Sequence, residues 1–322
     1  MGGPRERRAA RPRGELASRA PDLPATVAVV GCGTVGASWA ALFVAHGVNV
    51  QATDLSASAE PRLREFVERA REPLAALGCT GAGRLDFTTQ LERALDGAGF
   101  VQENAPENEA LKRALLARID RLVPPEVVIA GSTSSLLRSR LVVDCAHPGR
   151  HISAHPFNPP HLVPLVEIVG EDDDAVARAV RLYRALGRRP VVLHREMPGH
   201  IANRLSSALW REAVYLVEQG VASVEDIDAA MTYGPGLRWA IFGPHMTYHL
   251  GGGVGGIEHY LEHLGPSQAR RWASLGTPVF DDATKRALVD GVREEADGRS
   301  IEALEAERDR LLVALLRALA RA

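Results

Sequence analysis

His155 and Glu167 stand twelve residues apart across the segment Pro156-Phe157-Asn158-Pro159-Pro160, between β-type runs at 152–154 and 163–169. If those runs lie side by side, the turn between them brings imidazole and carboxylate together. The carboxylate then orients the ring, fixes its tautomer and raises its basicity, which suits it to move a proton on and off a hydroxyl. The same spacing also fits a purely structural hydrogen bond. A second group is Gly31-Cys32-Gly33-Thr34-Val35-Gly36, which follows an apolar run at 26–30 and opens a helical stretch at 34–45. Gly31 permits the tight turn, Gly33 lets backbone approach a pyrophosphate, and Gly36 allows close helix–strand packing; the helix N-terminus favours the anion. Asp54 ends the next β-type run at 48–53, where a carboxylate binds adenosine ribose hydroxyls and repels a 2′-phosphate, so the ligand expected is NAD, not NADP. A third group, Gly131-Ser132-Thr133-Ser134-Ser135-Leu136, follows a predicted parallel strand at 127–130, at the edge where open α/β sheets bind ligands. Its hydroxyls suit either a substrate oxygen or an ordinary helix cap.

These groups need a scaffold, and the 322 residues supply one in recognisable pieces. Residues 1–24 hold six arginines, three acids and four prolines without apolar periodicity, and read as a disordered Arg-rich tail. From 25 to 196, β-type runs alternate with helical stretches, including one helix over 62–77. This alternation predicts a Rossmann-type, doubly wound, mostly parallel sheet that binds NAD. From 197 to 322 apolar residues fall on helical faces, with Ile201, Leu205, Ala208, Leu209 and Leu216 along one of them. The expected C-terminal domain is all-helical, with helices near 198–219, 224–232, 258–264, 283–295 and 301–320, and a flexible glycine-rich loop at 251–256.

Composition narrows the function class. Apolar residues make up 46% and charged residues 24%, an ordinary globular balance that excludes disordered and fibrous classes. A net charge of −2 argues against a broad basic face for nucleic acid. No apolar run reaches the ~18–20 residues that span a bilayer, and three scattered cysteines argue against a disulfide framework or a Cys-rich zinc site. A cytoplasmic protein with no metal and no membrane contact is expected.

In this order the motifs resemble the 3-hydroxyacyl-CoA dehydrogenase superfamily. The resemblance implies that His155, in His155-Pro156-Phe157-Asn158-Pro159, is the catalytic base. Glu167, in Leu165-Val166-Glu167, is its partner. Ser134 and Asn203, the latter within Pro198-Gly199-His200-Ile201-Ala202-Asn203-Arg204-Leu205, hold the reacting oxygen, and Glu103 and Asn158 line the nicotinamide end of the cofactor. Gln102-Glu103-Asn104-Ala105-Pro106-Glu107, Gly236-Leu237-Arg238-Trp239 and the end from Gly298 look more like the branch holding L-gulonate 3-dehydrogenase (lambda-crystallin) and L-carnitine dehydrogenase. That implies a small free acid as substrate in preference to fatty acyl-CoA.

Arg238 fits this difference, because a guanidinium grips a free carboxylate with two parallel hydrogen bonds; a helix-end arginine in a surface ion pair fits equally. Trp239, Phe242 and Tyr248 suit either a trimethylammonium cage or a core or dimer interface. The family pairs through its helical domain, so a homodimer is expected. Two other functions remain compatible with the motifs: a biosynthetic ketoreductase on a 3-keto polyketide or carrier-bound acid, and an NAD-binding structural protein without turnover.

Overall fold

In the computed structural model, residues 22–320 are described, and the chain divides into two units after Pro198. Residues 1–21 of the expected tail lie outside the described residues. At its other end, Leu23 is buried in the core of the first unit (4% exposed), so the packed chain begins before residue 25.

The first unit carries an eight-stranded sheet. Its strands are β1 (Thr26–Val30), β2 (Asn49–Thr53), β3 (Leu85–Thr88), β4 (Phe100–Glu103), β5 (Val128–Gly131), β6 (His151–Pro156), β7 (Leu165–Val169) and β8 (Arg189–Val192). Their spatial order is β3-β2-β1-β4-β5-β6-β7-β8, parallel except between β6 and β7. The helices are α1 (Thr34–Ala45), α2 (Ala59–Arg69), α3 (Arg71–Ala76), α4 (Leu91–Leu95), α5 (Glu109–Leu122), α6 (Arg138–Leu141) and α7 (Asp173–Ala185). Order reverses between β1 and β4, which creates a crevice at the carboxyl ends of those strands.

Both faces of the sheet are covered, which is why β1 reads as a continuous apolar run and not as an alternation. Val27 and Val29 pack towards α1, α2 and α7, with Trp39, Phe43 and Tyr183 in that layer, while Ala28 and Val30 face α4 and α5. Helix α1 is buried from Gly36 to Ala45, so it has no polar face to read. The single helix expected over 62–77 is instead two, α2 and α3. Pro73 lacks an amide hydrogen and its ring collides with the carbonyl one turn back, so the hydrogen-bond ladder breaks near Ala70.

The second unit is all-helical: α8 (Ala202–Glu218), α9 (Val224–Tyr233), α10 (Pro235–Trp239), α11 (Pro244–Gly251), α12 (Gly256–His263), α13 (Gly265–Ala273), α14 (Asp282–Ala296) and α15 (Ile301–Leu319). Side chains cap several starts: Ser223 accepts from Asp226 N, Asp281 from Thr284 N and Ser300 from Ala303 N. Helix α14 packs on α8 and α9. The glycine-rich stretch read as a flexible loop is a tight turn. Helix α11 runs to Gly251, a 3₁₀ turn covers Gly253–Gly255, and α12 starts at Gly256; a Cβ on Gly252 would lie 1.8 Å from Gly256 O.

Candidate active site

The glycine turn sits at the crevice. Gly31 has φ +89° and donates its N–H to Thr53 O at 2.8 Å, which ties the turn to the end of β2. A Cβ on Gly36 would lie 1.9 Å from Gly31 O, so only glycine lets α1 approach the strand this closely. Around Gly33 the space is open, with no atom within 4 Å of a Cβ position. The first turn of α1 has no acidic side chain and no side-chain cap, leaving its amide groups and dipole for an anion. Asp54 accepts the Cys32 N–H at 2.8 Å on Oδ2, which holds the carboxylate beside the turn. Open space, unclaimed donors and a fixed carboxylate fit the pyrophosphate and ribose of NAD. Burial, then the Asp54 charge, pushes the neighbouring Cys32 thiol up to about 12.

The histidine and glutamate meet as the sequence spacing implied. β6 and β7 are antiparallel with His155 opposite Glu167, and Nδ1 lies 2.9 Å from Glu167 Oε2. Both are buried, at 5% and 1% exposure. A carboxylate only accepts, so Nδ1 carries the proton and the lone pair falls on Nε2. The connecting loop is tied at its middle to α1, where Ser38 Oγ accepts from His161 N at 2.9 Å. Asn158 lies exposed on this loop.

Glu103 ends β4 directly beside the crevice, but not as a lining residue. It is fully buried, its two oxygens 2.9 and 3.0 Å from Lys112 Nζ, and Oε1 also accepts from Ala105 N at 2.6 Å. Burial raises its pKa although Lys112 opposes the shift. Its side chain therefore props the Asn104–Ala105 turn from one layer beneath the surface. Lys112, equally buried, was missed by sequence reasoning; that it is one of only two lysines in the chain was the available signal. A second unread network joins Tyr183 Oη to Gln102 Oε1, Gln102 Nε2 to Ser132 Oγ, and Ser132 Oγ to Asn104 Oδ1.

Glu107 was quoted in the sequence only as part of a motif, yet it organises the serine loop. Its Oε1 accepts from Thr133 Oγ1 (2.7 Å), Ser135 N (2.9 Å), Ser134 N (3.0 Å), Ser135 Oγ (3.0 Å) and Ser134 Oγ (3.4 Å). Burial works against its charge, but the hydrogen bonds from Thr133 and Ser135 outweigh it and hold the carboxyl below its usual range. Ser134 is thus set at the carboxyl edge of β5, and no Ser134-led helix cap is formed: α6 starts only at Arg138.

In the second unit, Asn203 stands in the first turn of α8. Arg238 lies exposed at the end of α10 and makes no ion pair among the described residues. Tyr248 packs its ring on Tyr260 at 5.0 Å, while Trp239 and Phe242 are 38% and 49% exposed. Asp120, Cys145 and His151 bring ligand-type atoms within 4.8 Å of one another. The Asp120 carboxylate is, however, already engaged by Arg150 (2.9 Å), His151 (3.0 Å) and the amides of Ala146 and His147, a knot that bridges α5 to β6.

A sheet of this order, a turn that fits NAD at its crevice and a carboxylate-oriented histidine on the same edge define an NAD-dependent dehydrogenase acting on a CH–OH group. The model of the 3-hydroxyacyl-CoA dehydrogenase NAD binding domain matches residues 26–197, and that of the C-terminal domain matches 199–287. The chain belongs to the 3-hydroxyacyl-CoA dehydrogenase family. Among its relatives, L-carnitine dehydrogenase of Streptomyces coelicolor is 49% identical over 94% of this chain and 96% of its own. That of Pseudomonas aeruginosa is 42% identical over 91% and 94%. Among solved structures, an NAD+-dependent dismutase, 5-formyl-3-hydroxy-2-methylpyridine 4-carboxylic acid 5-dehydrogenase, matches with TM-score 0.78 at 32% identity, covering 92% of this chain and 99% of its own. The (S)-3-hydroxybutyryl-CoA dehydrogenase of Ralstonia eutropha matches at 0.58 and 29%, covering 66% of this chain and 78% of its own.

Proposed function

We propose that this enzyme interconverts the 3-hydroxyl and 3-keto forms of a small quaternary-ammonium hydroxy acid of the L-carnitine type. The observation that carries the reading is identity of 41–49%, over nearly the whole chain, to relatives named L-carnitine dehydrogenase. The guanidinium of Arg238, exposed at the end of α10 and suited to a free carboxylate, supports it.

His155 Nε2 takes the hydroxyl proton during oxidation and returns it during reduction. Glu167 keeps the ring in the tautomer that leaves Nε2 basic and stabilises the imidazolium once it forms. Ser134 and Asn203 hydrogen-bond the reacting oxygen, and Arg238 holds the substrate carboxylate. Gly31, Gly33, Gly36 and Asp54 hold the cofactor, with Asn158 towards its nicotinamide end and Glu103 supporting that end from below. Bound NAD supplies the hydride acceptor at C3. The enzyme acts in the cytoplasm as a homodimer paired through its helical unit; the support for pairing is the apolar surface that unit leaves uncovered.

NADH formation by the full chain, measured with L-carnitine, L-gulonate and a 3-hydroxyacyl-CoA, tests the substrate. Turnover of L-carnitine far above the other two is expected, and a preference for the thioester would overturn the reading. His155→Gln should lower kcat by about 10²–10⁴-fold while NADH binding, followed by its fluorescence, persists. Full turnover in that variant would remove His155 from its role.

A further inference from the structure

We propose that α12 carries a binding site for a divalent transition cation, Zn²⁺ or Cu²⁺, held by His259 and His263. None of the residues given a part in the reaction above belongs to it. The chain there reads His259-Tyr260-Leu261-Glu262-His263, and α12 ends at His263. Side chains four residues apart are neighbours on one face of a helix. By that spacing the helices of H-E-x-x-H and H-x-x-E-H zinc enzymes hold their ion. The two imidazole rings lie against one another, with centroids 4.1 Å apart and planes inclined by 34°. A tetrahedral ion with Zn–N bonds of about 2.0–2.1 Å needs its two nitrogens about 3.3 Å apart, so a small side-chain rotation is enough to seat it.

Spacing does not fix which ring nitrogen carries the lone pair; the backbone does. His259 Nδ1 lies 3.1 Å from Gly252 O, and His263 Nδ1 lies 3.1 Å from His259 O. A carbonyl only accepts, so each Nδ1 carries the proton and each Nε2 the lone pair. A carbonyl on the far nitrogen is the usual support of a metal-ligating histidine, since it orients the ring and raises its basicity. The bond to Gly252 also ties His259 to the glycine turn before α12, and Tyr260 packs on Tyr248 of α11 at 5.0 Å, which holds the helix from a second side. Both histidines are exposed and so within reach of an ion from solvent. They stand towards the C-terminal end of α12, where the helix dipole favours a cation. Glu262, three residues after His259, offers a carboxylate on the same face, and water fills the open coordination positions.

The neighbouring helix supplies a contrast. His245 and His249 have the same four-residue spacing on α11. There His249 Nδ1 accepts the Ile257 N–H at 3.1 Å, so the proton of the neutral ring is on Nε2 and its lone pair is already used. Two helices share the spacing, and hydrogen bonding leaves the ligand pair on one of them.

Equilibrium dialysis of the untagged full chain against ZnCl₂, in a buffer that does not bind metal, tests the site. One Zn²⁺ per chain should bind saturably, and Cu²⁺ more tightly, as the stability order of divalent ions at imidazole requires. His263→Gln should weaken Zn²⁺ binding about tenfold or more, since loss of a ligand costs at least as much as loss of its supporting hydrogen bond. His259→Gln should do the same, and His245→Gln should leave the affinity unchanged. His263 is exposed at a helix end, so its replacement should not move the Tm of the metal-free chain, which separates loss of a ligand from loss of the fold. With Cu²⁺ as the probe, pulsed electron paramagnetic resonance counts the bound imidazoles: two are expected in the native chain and one in His263→Gln. Absence of saturable Zn²⁺ binding by the native chain overturns the proposal. So does an affinity that survives in His263→Gln, or one that is lost in His245→Gln.

Discussion

A side chain's chemistry here is set by its immediate neighbours, and Cys32 is the clearest case. It sits inside the glycine turn, where a cysteine invites a reading as a reactive or redox-sensing group. Its Sγ lies 3.5 Å from Thr53 O and close to the Asp54 carboxylate, and its pKa is held at about 12. At pH 8 the reactive thiolate is a negligible fraction, so a thiol reagent such as iodoacetamide should leave Cys32 unmodified in the native enzyme over hours. Rapid labelling of Cys32, read by mass spectrometry of the peptide, would contradict this environment. The same rule divides the acids of the site. Glu167, Glu103 and Glu107 belong to one edge of the sheet, yet one orients an imidazole, one is enclosed with Lys112 and one gathers a serine loop. Their residue type says nothing of this division, since the packing of α5 brings Lys112 to Glu103 and the pairing of β4 with β5 brings the serine loop to Glu107.

At the level of elements, the β1–α1 unit shows how close approach and ligand space are divided between two glycines. Gly36 meets Gly31 O, a backbone atom that cannot move aside, whereas Gly33 opens on empty space at φ −68°, a value alanine tolerates. Gly36→Ala should therefore destabilise the first unit by about 1–3 kcal/mol through overpacking, seen as a Tm lower by several degrees. Gly33→Ala should leave Tm unchanged and weaken NADH binding tenfold or more, because its methyl group occupies the approach to the pyrophosphate. Equal Tm losses in both variants would refute that division of roles. Several elements escaped sequence reading for local reasons. β3 is a four-residue, half-buried strand at the sheet edge, too short and too polar for a pattern to emerge. Helices α10, α11 and α13 open on Gly234-Pro235, Gly243-Pro244 and Gly265-Pro266, pairs that read as turns although proline is well suited to a first helical turn.

For the whole molecule, the contrast between the two units decides the expected assembly. The first unit has a close-packed core on both sides of its sheet. In the second, Val214 is the one apolar side chain among the described residues to fall in the buried class, while Leu205, Trp210, Ile241, Trp272 and Val292 are each more than half exposed. An apolar surface on this scale is covered in a stable soluble assembly, and a second copy supplies an equal surface by two-fold symmetry. Light scattering at micromolar concentration should therefore give twice the 34.6 kDa chain mass. A monomer that stays folded and soluble would refute pairing through this unit.

Sequence alone determined the features that depend on neighbours along the chain. The glycine turn, Asp54 one βαβ unit later and the His155–Glu167 pair are all fixed by local spacing, because a short parallel unit and an antiparallel turn leave little freedom in where their ends fall. Tertiary structure decided what depends on strands that become neighbours only through crossovers. The arrival of Glu107 beneath the Ser134 loop, 27 residues away, required β4 and β5 to pair in register with α5 crossing between them. The enclosure of Glu103 likewise required α5 to place Lys112 beneath the turn after β4. No periodicity encodes such meetings, since a polar residue over a crevice and one under it have the same type; burial, which separates them, is a property of the packed sheet.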